Sequence, residues 1–290
     1  HQMSTRNRFS PSSLCSEVSL EEAVEAAASA SSLDTEETSV LQSPEHSYRA
    51  FCISGCERRV KIADRLYAAF DQIAGGSRQA ALRLCRSSAY FARHVETGEV
   101  KVVSRRCGLR WCPLCAQTLR FWVTKSVEKW LVSARKPRFL TLTLRHSNAK
   151  LHLQIERLYR SFRKFRLIPE IQRSLKGGVW FLQVTKNPAT DQWHPHLHVL
   201  FDGNYTSQAT LSSLWLATTN DSSIVDVRLV RDVAEAARYV ARYVSAPANL
   251  AKFTDVERLE ICLSLHGRRL FGTWGSARGV RLRVDKPSDA

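Results

Sequence analysis

The sequence has 290 residues, 44% hydrophobic and 24% charged, a balance that fits a globular core and excludes a fibrous or low-complexity chain. No apolar run approaches the ~18 residues of a membrane-spanning helix, and alanines near the N-terminus are interrupted by Glu21, Glu22 and Glu25, unlike a secretory leader. The formal charge of +16 is uneven: residues 1–47 carry two basic and eight acidic side chains, whereas residues 48–290 carry 41 basic and 19 acidic ones, a net +22 that points to a polyanionic partner.

Residues 1–47 are rich in Ser, Ala, Glu and Thr and nearly free of aromatics, so a disordered acidic tail is expected there, with room for a short helix at 17–30. From Arg58 to Ile73, Val60, Ala63, Tyr67, Phe70 and Ile73 form a helical stripe that Gly75-Gly76 ends. Ala89–Val95 and Val100–Arg105 read as strands around a turn at Glu96–Glu99. A helix follows over Ala116–Ala134, then a strand at Phe139–Leu144 with Thr on one face, then a basic amphipathic helix over Leu151–Leu167. Val179–Thr185 and Trp193–Phe201 form a second hairpin. Leu211–Ala217 reads as a helix, Ile224–Val230 as a strand and Asp232–Ser245 as a helix. This order predicts an α+β fold, a central antiparallel or mixed sheet with packed helices, and not a doubly wound parallel sheet. The expected organisation is a tail at 1–47, a helical, cysteine-bearing region at 48–135, a core built on the sheet at 136–248, and a C-terminal helix and basic tail at 249–290.

Eight cysteines in a chain expected to be cytoplasmic read as thiols or metal ligands rather than disulfides. Cys107-x4-Cys112-Pro113-x-Cys115 has the spacing of a zinc knuckle, whose turn points the sulfurs inward. Tetrahedral zinc needs a fourth ligand, and Cys85, just ahead of the first hairpin, is the first choice, with His94 and Cys56 as substitutes. Four sulfurs make a closed, structural site.

In Trp193-His194-Pro195-His196-Leu197-His198-Val199-Leu200, alternation along a strand puts His194, His196 and His198 on one face and Leu197 and Val199 on the other. Two imidazoles two residues apart can grip one divalent ion and leave positions open for substrate. Gln183 on the neighbouring strand can add an amide oxygen, and such nitrogen and oxygen ligands suit Mn²⁺ or Mg²⁺ acting on a phosphodiester. Further on, spacing by four puts Glu235, Tyr239 and Tyr243 on one helix face, flanked by Arg238 and Arg242, with Ala236, Val240 and Val244 available for the core.

Together, Phe139–Leu144, the His194–Leu200 strand and Tyr239-Val240-Ala241-Arg242-Tyr243-Val244 resemble three motifs of the HUH endonucleases, specifically the rolling-circle replication initiators of bacterial plasmids and small phages. The upstream cysteine element is similar to one in plasmid members, and Gly267-Arg268-Arg269-Leu270 with Trp274-Gly275 is similar to the segment after their tyrosine helix. The resemblance implies an enzyme that nicks and rejoins one DNA strand. His196 and His198 bind its metal ion, and His194 or Gln183 supplies a further ligand. A tyrosine forms a 5′-phosphotyrosine and frees a 3′-OH. It also implies origin DNA as partner, contacted by Arg238, Arg242, Arg268 and Arg269, with host helicase and polymerase following. Gln183 stands where the family often has an acidic residue. The tyrosine helix reads in two registers: Glu235 with Tyr239 resembles one-tyrosine plasmid enzymes, and Tyr239 with Tyr243 resembles two-tyrosine phage enzymes, the second matching more closely. A transposase of the same chemistry and a non-catalytic zinc protein that binds DNA are the alternatives.

Overall fold

The computed structural model describes residues 56–282, so the readings made for residues 1–47 and for the last eight residues lie outside the described part. The chain divides into two compact units. The first comprises residues up to Cys107 together with Phe253–Arg268, and the second comprises Gly108–Lys252 and the residues from Arg269 onward.

In the first unit, α1 (Cys56–Ala74) packs on α2 (Arg78–Arg83) and on α8 (Asp255–Leu265). The buried stripe of α1 is Ile62, Ala63, Leu66, Tyr67 and Phe70, which keeps Ala63, Tyr67 and Phe70 of the expected stripe, adds Ile62 and Leu66, and leaves Val60 exposed and Ile73 half-buried. Gly75 and Gly76 adopt φ of +64° and +115°, left-handed values that end α1 cheaply only because neither residue has a Cβ. Thr254 and Glu257 form a reciprocal capping box that starts α8. Strands β1 (Ala89–Arg93) and β2 (Val100–Ser104) pair antiparallel as a separate two-stranded sheet.

The second unit is built on a five-stranded, wholly antiparallel sheet in the order β6-β3-β5-β4-β7, formed by β3 (Pro137–Thr143), β4 (Leu175–Lys186), β5 (Trp193–Gly203), β6 (Val225–Leu229) and β7 (Phe271–Gly275). The expected α+β class with a central antiparallel sheet is what the chain adopts. Both faces of the sheet are covered. On one, Trp180 of β4 meets Tyr159 and Phe162 of α4 (Leu151–Phe165) edge-on, and Phe165 packs on Trp215 of α6 (Gln208–Thr219). On the other, Val179, Phe181 and Leu200 pack with Val123, Val127 and Trp130 of α3 (Pro113–Ser133) and with Ala237, Val240, Ala241 and Val244 of α7 (Val233–Ser245). Each large side chain fully buried here contributes about 1.5–3 kcal/mol.

Several elements had no counterpart in the sequence reading: the short helices α2 and α5 (Pro169–Ser174), the 3-10 turn at Leu250–Lys252 and the edge strand β7. Trp274 of β7 stands over Gly178, where a Cβ would lie 2.5 Å from the indole ring and 2.3 Å from the Leu200 carbonyl oxygen. Glycine at 178 is therefore what lets the edge strand close on the sheet. Among the described residues no helix is long and apolar enough to cross a membrane.

Candidate active site

Strand register assembles the polar cluster. Pairing of β4 with β5 sets Gln183 opposite His196, and pairing of β3 with β5 sets Thr141 opposite His198. The Nε2 atoms of His196 and His198 approach the Gln183 Oε1 atom at 2.6 and 2.7 Å. The outer nitrogens are held as well. His196 Nδ1–H donates to the His194 carbonyl (3.1 Å), and His198 Nδ1 lies 3.3 Å from the Thr141 hydroxyl. Both imidazoles are buried.

That arrangement fits a cation. A neutral His196 that spends its one N–H on the His194 carbonyl turns a lone pair toward the Gln183 oxygen, itself an acceptor. Protonating the ring would relieve the repulsion, but burial pushes the His196 pKa down, only partly offset by the bond to His194. The His198 pKa is pushed down to about 3 by burial, with the His196 and Arg242 charges adding to the shift. A divalent ion held by all three atoms would relieve the conflict, as would an amide turned so that its NH2 group donates, and adjacent ligand atoms around an octahedral ion stand about 2.9 Å apart. Imidazole, imidazole and amide oxygen are a donor set suited to Mn²⁺ or Mg²⁺ with open positions.

His194 stands apart from this convergence. Its ring lies 4.5 Å from the His146 ring by centroids, and its carbonyl accepts from the Thr185 hydroxyl. Burial, then His196 and His146, push its pKa down to about 4. His146, Thr141 and Phe139 were not singled out as site residues in the sequence. Thr141 had one available signal, the threonine face of the predicted strand, whereas His146 follows β3 with no periodicity to mark it.

Helix α7 lies over the histidine face. Asp232 caps its N-terminus by accepting from the Glu235 N–H at 2.9 Å, and the Pro247 carbonyl beyond its end accepts from the Val184 N–H of β4 at 2.7 Å. The two phenols it carries are unequal. Tyr243 is 8% exposed and stacks on His198, with centroids 4.5 Å apart and planes 16° apart. Tyr239 is 37% exposed and meets both His198 and Phe139 edge-on. The Arg242 guanidinium covers the Tyr239 ring at 4.4 Å. Burial, and then the hydrogen bond with Tyr239, push the Tyr243 pKa well above the usual phenol value. Glu235 and Arg238 are exposed on the same helix. Arg269 is exposed, and its carbonyl accepts from the Tyr159 hydroxyl, while Arg268 is partly buried at the end of the first unit.

The sulfurs of Cys85, Cys107, Cys112 and Cys115 all lie within 4.8 Å of one another, so Cys85, rather than His94 or Cys56, completes the cluster. Tetrahedral zinc with bonds near 2.3 Å needs sulfurs about 3.8 Å apart, which this spacing accommodates. Cys112 is the N-cap residue of α3, Pro113 follows at N1 and Cys115 lies in the first turn, where the helix dipole favours thiolates. Gly108, at φ +66°, makes the turn that leads from Cys107 toward Cys112.

A family model described as "Replication protein" matches residues 100–283, which include all five strands of the large sheet and α7. A curated relative named "Protein rep" from Bacillus amyloliquefaciens is 30% identical over 197 residues, 61% of this chain and 58% of that protein. Proteins of the same name from Bacillus sp (32% identical over 167 residues, 52% of this chain and 54% of that protein) and from Streptococcus pneumoniae (25% over 228 residues, 69% and 70%) are also similar. The chain thus spans somewhat more than half the length of the first two relatives. No solved structure matches it significantly. The chain belongs to the replication-protein family, the Rep family whose histidine and tyrosine motifs its own sequence resembles.

Proposed function

We propose that the chain initiates rolling-circle replication by nicking one strand of a plasmid origin with Tyr239 and later rejoining it. One observation carries the reading: two buried imidazole nitrogens of β5 each lie within 2.7 Å of one amide oxygen of β4, on the sheet face that meets the helix bearing an exposed tyrosine. An ion of the Mg²⁺ or Mn²⁺ class held by His196, His198 and Gln183 would supply Lewis-acid polarisation of a phosphodiester.

The side chains account for the remaining steps. Thr141 and the His194 carbonyl fix the orientation of the two imidazoles, so the ligand atoms are set before substrate arrives. Arg242, stacked on the Tyr239 ring, sets a cation where the phosphate must approach. The Tyr239 oxygen attacks phosphorus, the bond from phosphorus to the 3′ oxygen breaks, the phenol proton leaves to solvent, and the departing 3′ oxygen takes up a proton. The products are a 5′-phosphotyrosine and a free 3′-OH for a host polymerase, with a helicase opening the duplex ahead. Glu235, one turn before Tyr239, is the carboxylate placed to assist water when the adduct is resolved. Zinc at the four cysteines would contribute folding free energy and no chemistry. This chemistry belongs in the cytoplasm, where plasmid DNA is.

The test is a labelled single-stranded origin oligonucleotide incubated with protein and Mn²⁺. A covalent adduct that survives denaturing electrophoresis is expected, and its absence with every origin strand supplied would remove the nickase reading.

A further inference from the structure

Outside the catalytic cluster, four of the exposed large apolar side chains fall on the β1–β2 hairpin. Tyr90 is 62% and Phe91 78% exposed, and Val95 and Val100 are exposed as well. Phe91 is the most exposed aromatic side chain among the described residues. The hairpin is nevertheless well formed. The Arg86 N–H donates to the Arg105 carbonyl at its base (2.8 Å), and the His94 N–H donates to the Glu99 carbonyl at its tip (2.8 Å). Cys85 and Cys107, two members of the sulfur cluster, flank that base.

Its charge indicates what the partner is. Residues 86–106 hold Arg86, Arg93, Lys101, Arg105 and Arg106 against Glu96 and Glu99, and both glutamates sit at the turn. The body of the ribbon is therefore basic and aromatic, the combination that meets phosphates and bases. Tyr90 and Phe91 are consecutive on one strand and so project to opposite faces. A stacking platform for single-stranded DNA gathers its aromatics on one face, whereas a ribbon lodged in a groove is touched on both. Two strands about 4.8 Å apart, with their side chains, fit a major groove about 12 Å wide.

We propose that the β1–β2 hairpin is an arm that lies in the major groove of duplex DNA, with Phe91 on the face turned to the base edges, Tyr90 on the opposite face toward the groove wall, and Arg93, Arg105 and Arg106 against the flanking phosphates. This rests on the reading that the chain acts on DNA, and it adds a duplex contact separate from the nicking site. Aromatic contact with thymine methyl groups gives such an arm base preference, and the arginines give it salt dependence.

The experiment uses the full chain and measures fluorescence anisotropy with a duplex origin fragment and with its single strands, alongside adduct formation on a single-stranded oligonucleotide. The double variant Tyr90→Ala/Phe91→Ala is expected to bind duplex about tenfold or more weakly, to form adduct at the parent rate and to melt at the parent temperature. Arg93→Glu is expected to weaken duplex binding and flatten its salt dependence, and Phe91→Trp to retain affinity. Unchanged duplex affinity in the double variant overturns the proposal, and so does an equal loss on single strands. Should the double variant melt lower, Arg93→Glu decides alone, because its exposed side chain supports no core packing. Loss of duplex binding by these variants in a protein that forms no adduct at all would keep the arm and remove the nickase reading.

Discussion

The Tyr243 ring lies nearly parallel to the His198 imidazole, 16° apart in plane and 4.5 Å between centroids, while Tyr239 meets the same imidazole at 86° and 5.7 Å. Tyr243 is thereby part of the wall that holds His198, and its buried phenol is pushed well above the usual pKa. Tyr239 keeps a path to solvent under Arg242. We therefore expect Tyr239→Phe to eliminate the covalent adduct and Tyr243→Phe to retain most of it. Denaturing gels of labelled origin oligonucleotide would measure both, and adduct formation by Tyr239→Phe would favour alternating phenols instead.

A second expectation concerns the ion. Replacing Gln183 by Ala removes the shared oxygen, and Mn²⁺ affinity should fall about tenfold or more; His198→Ala should lose at least as much. Gln183→Glu adds a negative charge to the same position and should tighten binding. Titration of free Mn²⁺ by electron paramagnetic resonance reads this without any DNA. DNA affinity should change little in the alanine variants, because phosphate contacts come mainly from Arg and Lys. Equal Mn²⁺ affinity in Gln183→Ala and the parent would exclude Gln183 as a ligand.

The cysteine cluster predicts one tightly held zinc per chain. Cys112→Ser removes a ligand at the N-cap of α3, and the melting temperature should drop, since metal binding here is folding free energy. Elemental analysis finding no zinc in the purified parent protein would sink the assignment.

The site was legible in the sequence wherever local periodicity carried the information. Alternation along β5 separated His196 and His198 from Leu197, and a spacing of four put Tyr239 and Tyr243 on one helix face. A hairpin between β4 and β5 then left Gln183 as a cross-strand neighbour of His196. What stayed hidden depends on distant packing. The inequality of the two phenols arises because Tyr243, unlike Tyr239, joins the core shared with α3 and the sheet, and no pattern within α7 records that. His194 keeps the parity of the other histidines, yet its ring pairs with His146, a residue from the chain beyond β3. Strand β7 is five residues long with two glycines, and its evidence is non-local: a glycine at 178 beneath Trp274. Likewise, both faces of the sheet are covered, so the histidines face α7 rather than open water.

The last expectation is a pH dependence of stability in the metal-free protein. His198 and His194 have folded pKa values pushed down to about 3 and about 4, and His196 is lowered as well, all chiefly by burial. In the unfolded chain they titrate near the usual value of about 6.5. Above that pH neither state binds the protons and the histidines leave stability unchanged. Below it the unfolded state takes up protons that the folded state refuses, so stability falls steadily as pH drops from about 6.5 toward 4. The limiting slope is about 1.4 kcal/mol per pH unit for each buried histidine. Carboxylates held by cations, such as Asp64 beside Arg83, lose their contribution lower in the same acid range, so the total slope does not isolate the imidazoles. A variant does. Urea midpoints of His198→Gln should depend less steeply on pH between 6.5 and 4.5 than those of the parent, both measured in chelator. Saturating Mn²⁺ should raise the parent midpoint at pH 7.5 and still raise it at pH 5, because the folded imidazoles refuse protons well below the usual range and remain available as ligands. Parallel pH profiles for parent and His198→Gln would show that His198 is not a buried neutral imidazole in solution.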